Sequence, residues 1–416
     1  MTEGKHLLTH ALIERALRGG PRSLPELAVA IGGMYPADLK PILAELEAQN
    51  SIFFSDGTYR LPSSSPQHVQ INGLPTLGLL PPHPANMDWR YDVSTARLVV
   101  ERSLAASDGA GLLIGSPSAL VQWRELAPTR PALLLDASEK MVASINCQTI
   151  NSVHQALRFD MCRPLDWHEE QKYDVCVCDP PWYREHYLGA MGIASLALRL
   201  GASMLVSLLP ALARPGASVD RHWIMQQADQ LGFHLFSLEQ NALRYVTPQF
   251  ERQSLAVVGI DVPQVWRCGD LATFVKVREV DGEVRVAALM PLANMELAER
   301  DLSEILVRGQ MWRLRGPFDD PGITPELIPI EPNNILPTVS RRYEGRSKIG
   351  LWLPDNRVFG IRGRAAFWHA LRQLENPGLA SLPSRPEDAT IVEALRLLEP
   401  LLATNEEKAD PKGGIL

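Results

Sequence analysis

Tyr173-Asp174-Val175-Cys176-Val177-Cys178-Asp179-Pro180-Pro181-Trp182-Tyr183 is the stretch whose reading decides this chain. A short apolar run ends in a carboxylate, two prolines and two aromatic rings. Such a run predicts a buried strand. Neither proline has an N–H, so neither continues a helix or a sheet ladder, and the loop after the strand is held stiff and open. The Asp179 carboxylate and the Pro180 carbonyl can accept hydrogen bonds from an –NH2 group. Trp182 and Tyr183 can sandwich a flat group, and Pro181 with Pro180 stiffens the loop that carries them. The competing reading is an acidic turn that closes a buried strand.

Outward from this loop, helix and strand alternate. Helices are expected at Ser94–Ala106, Ser118–Leu126, Glu139–Asn146, Leu188–Leu200 and Asp220–Leu231. Strands are expected at Gly111–Ile114, Ala132–Leu135, His154–Phe159, Asp174–Cys178 and Met204–Leu209. Two closing strands, Phe233–Glu239 and Ser254–Ile260, have no helix between them. The alternation predicts an α/β fold, a parallel sheet with helices on both faces. The closing pair predicts an antiparallel hairpin at the sheet edge.

A chain of 416 residues points to two or three domains. Residues 1–62 predict three helices and a hairpin on Ser55-Asp56-Gly57, a winged helix-turn-helix. Its third helix offers Asp38, Lys40, Glu45 and Glu47. With six basic and seven acidic side chains, residues 1–62 suit protein contact or dimerisation better than phosphate binding. Residues 63–84 read as a linker and 85–261 as the Rossmann-like domain. Residues 262–404 read as an α+β accessory domain, and 405–416 as a disordered tail. No run of about 18 apolar residues is present, and the start lacks the apolar core of a signal peptide. Five cysteines without a CxxC pair favour a reduced, metal-free, cytoplasmic protein. The net charge of −7 disfavours non-specific wrapping of nucleic acid.

Ligands of open α/β sheets bind outside the carboxyl ends of the strands. Four such ends are Gly115, Asp136, Asp160 and Asp179. Gly115 permits close approach of a cofactor, with Ser116 beside it. Asp136 is placed to receive ribose hydroxyls, and Asp160 with Met161 to meet an adenine ring. Tyr91, opening the segment to Arg102, is placed to lid the cofactor's far end. The segment Arg244–Glu251 offers Tyr245, Thr247, Pro248 and Phe250 as acceptor-binding candidates. Residues 341–364 hold seven basic side chains interleaved with Tyr343, Trp352 and Phe359, a stripe that reads as a nucleic-acid contact or as solvated strand faces.

Asn86-Met87-Asp88-Trp89-Arg90-Tyr91-Asp92, the strand-end acids, Phe159-Asp160-Met161-Cys162-Arg163-Pro164-Leu165 and Asp179-Pro180-Pro181 together resemble the catalytic domain of branched-chain polyamine synthases. The similarity spans residues 80–260 and follows motif order. That family, which also carries an N-terminal winged helix, is an aminopropyltransferase fold derived from class I methyltransferases. The resemblance implies a Rossmann-like methyltransferase sheet. In the family the loop after the first strand is acidic; here it is Gly115-Ser116-Pro117-Ser118. Asp179-Pro180-Pro181-Trp182 is also similar to the motif of N6-adenine methyltransferases. That implies S-adenosylmethionine as cofactor and an exocyclic amine, a nucleobase among the candidates, as acceptor. Three readings stand: methyl transfer to an amino nitrogen, aminopropyl transfer from decarboxylated S-adenosylmethionine to a polyamine, and a non-catalytic binding scaffold.

Overall fold

The computed structural model describes residues 3–61, 79–148, 152–293, 301–376 and 387–403. Most of the expected linker 63–84 and all of the expected tail 405–416 lie outside them. The chain forms two compact units. One comprises Met1–Leu79, Asp88–Pro248 and Val258–Met295; the other comprises Leu80–Met87, Gln249–Val257 and Glu296–Leu416.

The first unit opens with helices α1 (Glu3–Arg18), α2 (Leu24–Ala30) and α3 (Pro36–Ala48), then strands β1 (Phe53–Ser55) and β2 (Thr58–Arg60). Ser23 caps α2 reciprocally with Glu26, whose carboxylate accepts the Ser23 N–H at 2.7 Å. The β1–β2 hairpin turns on Asp56 and Gly57, both at positive φ, the conformation that a two-residue hairpin turn requires.

An eight-stranded sheet follows. Its strands are β3 (Arg90–Tyr91), β4 (Gly111–Ile114), β5 (Ala132–Asp136), β6 (His154–Arg158), β7 (Tyr173–Cys178), β8 (Leu198–Leu208), β9 (Phe233–Val246) and β10 (Val265–Lys276). Helices α4 (Val93–Ala106), α5 (Pro117–Leu126), α6 (Glu139–Gln148), α7 (Arg184–Ala197) and α8 (Ala217–Gln230) connect them, and α10 (Gly282–Ala293) follows β10. The spatial order is β3-β9-β10-β8-β7-β4-β5-β6. Strands β6, β5, β4, β7 and β8 run parallel. Strand β4 is buried throughout and β7 nearly so, hence the near-continuous apolar runs. Sγ of Cys176 and Cys178 lie 3.5 Å apart inside that core.

The closing part of the sheet differs from expectation. Ser254–Ile260 is not a strand: Gln249–Val257 forms helix α9, burying Phe250, Ser254 and Leu255 at helical spacing. The last strand is β10, which pairs antiparallel with both β8 and β9. It therefore inserts between them instead of lying outside in an edge hairpin, and the sheet runs past the expected boundary at 261. Arg267, Gly269 and Asp270 hid this strand from an apolar-run reading. Asp270 is tolerated there because the Arg221 guanidinium meets it at 2.5 Å. An antiparallel strand slotted beside five parallel ones is the arrangement of a Rossmann-like methyltransferase sheet. Helix α7 also ends earlier than expected, because Leu198 to Gly201 already belong to β8.

The second unit holds α9 and an antiparallel sheet in the order β11-β12-β14-β15-β13. The strands are β11 (Leu302–Val307), β12 (Gln310–Arg315), β13 (Glu326–Pro329), β14 (Leu351–Trp352) and β15 (Val358–Arg362); helices α11 (Arg364–Glu375) and α12 (Glu387–Ala403) follow. Trp312, Leu314, Phe359, Phe367, Leu371 and Leu398 share one core. The basic stripe is largely consumed by the fold. Arg346 lies over Trp352 at 4.6 Å, Arg357 pairs with Asp355, Arg362 with Glu326, and Arg364 donates to the Gly316 carbonyl. No helix among the described residues is long and apolar enough to cross a membrane.

Candidate active site

Backbone hydrogen bonds stitch the parallel strand ends together. Asp179 N–H donates to Ile114, Gly115 N–H to Leu135 and Phe159 N–H to Asp136. Gly115 sits at φ +64°, and a Cβ there would stand 3.0 Å from the Asp179 carbonyl oxygen and 3.1 Å from the Met161 methyl. Glycine lets these three segments close up without the backbone strain a side chain would bring at this φ. Asp136 accepts from Ser138 N–H at 2.8 Å and Asp160 from Cys162 N–H at 2.9 Å. Each acid thus holds its own strand-end turn. Ser116 and Ser118, at the start of α5, are 1% and 2% exposed, and their hydroxyls have no hydrogen-bond partner. Buried hydroxyls without partners are rare, because each forfeits its bonds to water.

At Asp179 a chain of donors converges. Trp182 Nε1 donates to Ser207 Oγ at 3.2 Å, Ser207 lies 2.5 Å from the Tyr245 hydroxyl, and Tyr245 donates to Asp179 at 2.8 Å. The Tyr91 hydroxyl joins the same cluster. Strand register explains the convergence. Tyr245 on β9 faces Tyr91 on β3 and Arg267 on β10, so the three share one face of the sheet. Asp179 keeps part of its surface open but is densely packed by protein. Burial pushes its carboxyl up to about 7, against the hydrogen bonds from Tyr245, Ser207 and Tyr91, while the charge of Asp88 adds to the rise. Burial likewise raises Tyr245 and Tyr91, with the Asp179 charge contributing. Among the described residues, the Pro180 carbonyl receives no hydrogen bond from the protein.

The rings around Asp179 are fixed by one another. Tyr245 meets Trp182 edge to face at 5.8 Å and Tyr91 at 5.1 Å. The Arg267 guanidinium is stacked between Trp182, 4.1 Å away, and Trp89, 4.4 Å away. Trp182 is only 8% exposed. Arg267 covers one face of this ring, which the sequence reading offers as a stacking plate for an acceptor. Tyr183 remains half-buried at the loop's outer side. Behind the loop, Arg214 donates to the Trp182 carbonyl at 2.7 Å and to Asp220 at 2.6 Å, and Arg184 also binds Asp220. Burial opposes the charge on Asp220, yet these two guanidinium bonds hold its carboxyl below the usual range.

The sequence candidates fall into three groups. Gly115, Met161 and Asp179 meet directly, and Asp136 and Asp160 stand at the adjoining strand ends. Tyr91, expected as a cofactor lid, and Tyr245, expected on a loop, are both strand residues bonded around Asp179. Thr247 is buried and gives its hydroxyl to the Pro263 carbonyl at 2.8 Å. Pro248 closes that turn, and Phe250 lies on α9 of the second unit as a fully buried side chain. All three, offered by the sequence as acceptor-binding candidates, are buried in the protein. Trp89 stood out only as part of the Asn86–Asp92 motif, and Ser207, Arg267 and Arg214 were not among the sequence candidates. The position of Ser207 near the end of a predicted strand was the one available signal.

No family model matches this chain, and no curated protein matches it. Solved structures do. The branched-chain polyamine synthase C9 mutein from Thermus thermophilus, in complex with N4-aminopropylspermidine and 5'-methylthioadenosine, is 17% identical. It covers 66% of this chain and 91% of its own, with a TM-score of 0.49. TrmN from Thermus thermophilus is 16% identical over 47% of this chain and 52% of its own, TM-score 0.33. N-methyltransferase NodS from Bradyrhizobium japonicum, with S-adenosyl-l-homocysteine, is 13% identical over 44% and 86%, TM-score 0.30. The fold assignment rests on strand order and not on these likenesses.

Proposed function

We propose that the first unit is an S-adenosylmethionine-dependent transferase that methylates an amino nitrogen. The carrying observation is the contact of Gly115 with the Asp179 carbonyl, which sets a glycine-opened strand end directly beside a carboxylate-and-proline loop. The unpartnered hydroxyls of Ser116 and Ser118 at the start of α5 fit the carboxylate end of such a cofactor. Asp136, at the end of β5, suits ribose hydroxyls, and Asp160 with Met161 suits adenine. When bound, the cofactor supplies an electrophilic methyl on a sulfonium.

The chain's own residues then do the orienting. Ionised Asp179 and the Pro180 carbonyl accept the two N–H bonds of an –NH2 group, aiming its lone pair at the methyl. Tyr245 and Ser207 hold the carboxylate in place. No strong base is needed before transfer, since the amine becomes acidic only once alkylated. Alignment supplies most of the rate.

The aminopropyl reading is less well supported. The loop 115–118 has no acid, and the Arg267 cation between Trp89 and Trp182 already stands on the face that Tyr245 shares, where it repels a polycation. The helices and hairpin of residues 1–62 are read as a winged helix for protein contact. In support, α3 carries Asp38, Glu45 and Glu47, and Phe53 and Phe54 on β1 are exposed.

The test is transfer of labelled methyl from S-adenosylmethionine to nucleosides and oligonucleotides bearing free amino groups. Transfer by the wild type that is lost in Asp179→Asn supports the reading. Transfer of aminopropyl from the decarboxylated cofactor to spermidine instead would replace it.

A further inference from the structure

A cavity lies within the first unit, between α3 and the loop that follows β8. Its volume is about 260 Å3, well above what a single water needs and enough for a small organic molecule. Met34, Ile42, Leu212 and Pro215 give it apolar walls, and Asp38 lies on the α3 side. One backbone hydrogen bond ties its two walls together. Tyr35 N–H donates to the Ala213 carbonyl at 3.2 Å, fixing the loop against the start of α3.

Asp38 is the informative residue. Its carboxylate is half-buried in this wall and has no hydrogen-bond or ion-pair partner among the described residues. An acid in the first turn of a helix is ordinarily comfortable, because the helix end favours its charge. Here burial outweighs that benefit and raises the carboxyl above its usual range. The other charges facing the cavity do not relieve it. Glu45, one helical stretch further along, has the same sign and accepts from the Gln49 amide. Arg214 is committed to Asp220 and the Trp182 carbonyl. A carboxylate desolvated beside an apolar hollow is relieved by a cation that brings its own hydrocarbon.

We propose that this cavity is a binding site for a cationic amine with a compact apolar body. The ammonium sits against Asp38 and the hydrocarbon against Met34, Ile42, Leu212 and Pro215. The site is distinct from the Asp179 cluster, although Arg214 borders both. The proposal does not depend on the methyl-transfer reading, and its test involves no turnover.

Hexylamine hydrochloride is the probe, titrated into the full chain by calorimetry with hexan-1-ol as the uncharged control. The amine is expected to bind saturably, with the alcohol at least about tenfold weaker. Asp38→Asn is expected to weaken the amine at least about tenfold, and Ala211→Trp, which fills the cavity from its exposed rim, to abolish binding. Asp179→Asn is expected to bind it like the wild type. The proposal is overturned if hexylamine does not saturate the wild type, or if both cavity variants bind it unchanged. Loss of binding in Asp179→Asn alone would also overturn it, placing the amine at the other site. Failure of methyl transfer would leave every one of these results standing.

Discussion

Tyr245 donates its hydroxyl to Asp179 across 2.8 Å, joining the end of β9 to the tip of β7 although 66 residues separate them. Ser207 and Trp182 continue the line of donors behind Tyr245. The carboxylate is thus held in one orientation by groups that are themselves fixed.

Tyr245→Phe removes the donor nearest the carboxylate while keeping the ring packing. That hydrogen bond favours the ionised form, so its loss moves Asp179 further up. The rising limb of the pH–rate profile should shift to higher pH, and the rate at neutral pH should fall by about tenfold. An unshifted profile would separate Tyr245 from the chemistry.

Ionised Asp179 is the form that accepts an amine N–H, and burial sets its carboxyl at about 7. The rate should therefore climb about tenfold per pH unit below that value and level off above it. Stability should move the opposite way. A carboxyl raised above its unfolded value stabilises the fold fully below the unfolded value, and that contribution is lost as pH rises through about 7. Asp179→Asn should abolish the loss. Thermal melts at pH 5 and pH 8 measure it: the variant's advantage should be larger at pH 8.

Gly115→Val places a branched side chain at φ +64°, with its Cβ 3.0 Å from the Asp179 carbonyl. Strain of about 1–3 kcal/mol is expected from the backbone alone. Cofactor affinity should be lost even where the variant still folds, which circular dichroism would verify.

Arg214→Ala removes donors from the Trp182 carbonyl and from Asp220 together. Charged hydrogen bonds of this kind contribute about 1.5–3 kcal/mol each. The variant should melt lower and turn over slowly, with KM rising, because the loop bearing Asp179 loses its brace. Arg184 still pairs with Asp220, so the fold should survive.

Much of the sheet was legible because β4, β5 and β7 are apolar runs ending in Gly or Asp, and local pattern alone marks such strands. Strand β10 was not legible. Its Arg267 and Asp270 break the run, and they are tolerated only through Trp89, Trp182 and Arg221, partners remote in sequence. With β10 misplaced, Arg267 could not be seen over Trp182, nor Tyr245 facing Asp179. Helix α9 was missed because the Val257-Val258 pair near its end resembles a strand. Gly115, Asp136, Asp160 and Asp179 were readable because each ends its own strand. The contacts between them depend on register, which no single segment encodes.

The central claim is that the strand ends around Gly115 hold a sulfonium nucleoside beside the Asp179 loop. Calorimetric titration of the full chain with S-adenosylmethionine, and in parallel with its decarboxylated form, tests it most directly. The account predicts saturable binding of S-adenosylmethionine, weaker binding of the decarboxylated form because Ser116 and Ser118 lose the carboxylate, and no binding to Gly115→Val. Heat-silent titrations with both compounds, confirmed by an absence of thermal stabilisation, would contradict it.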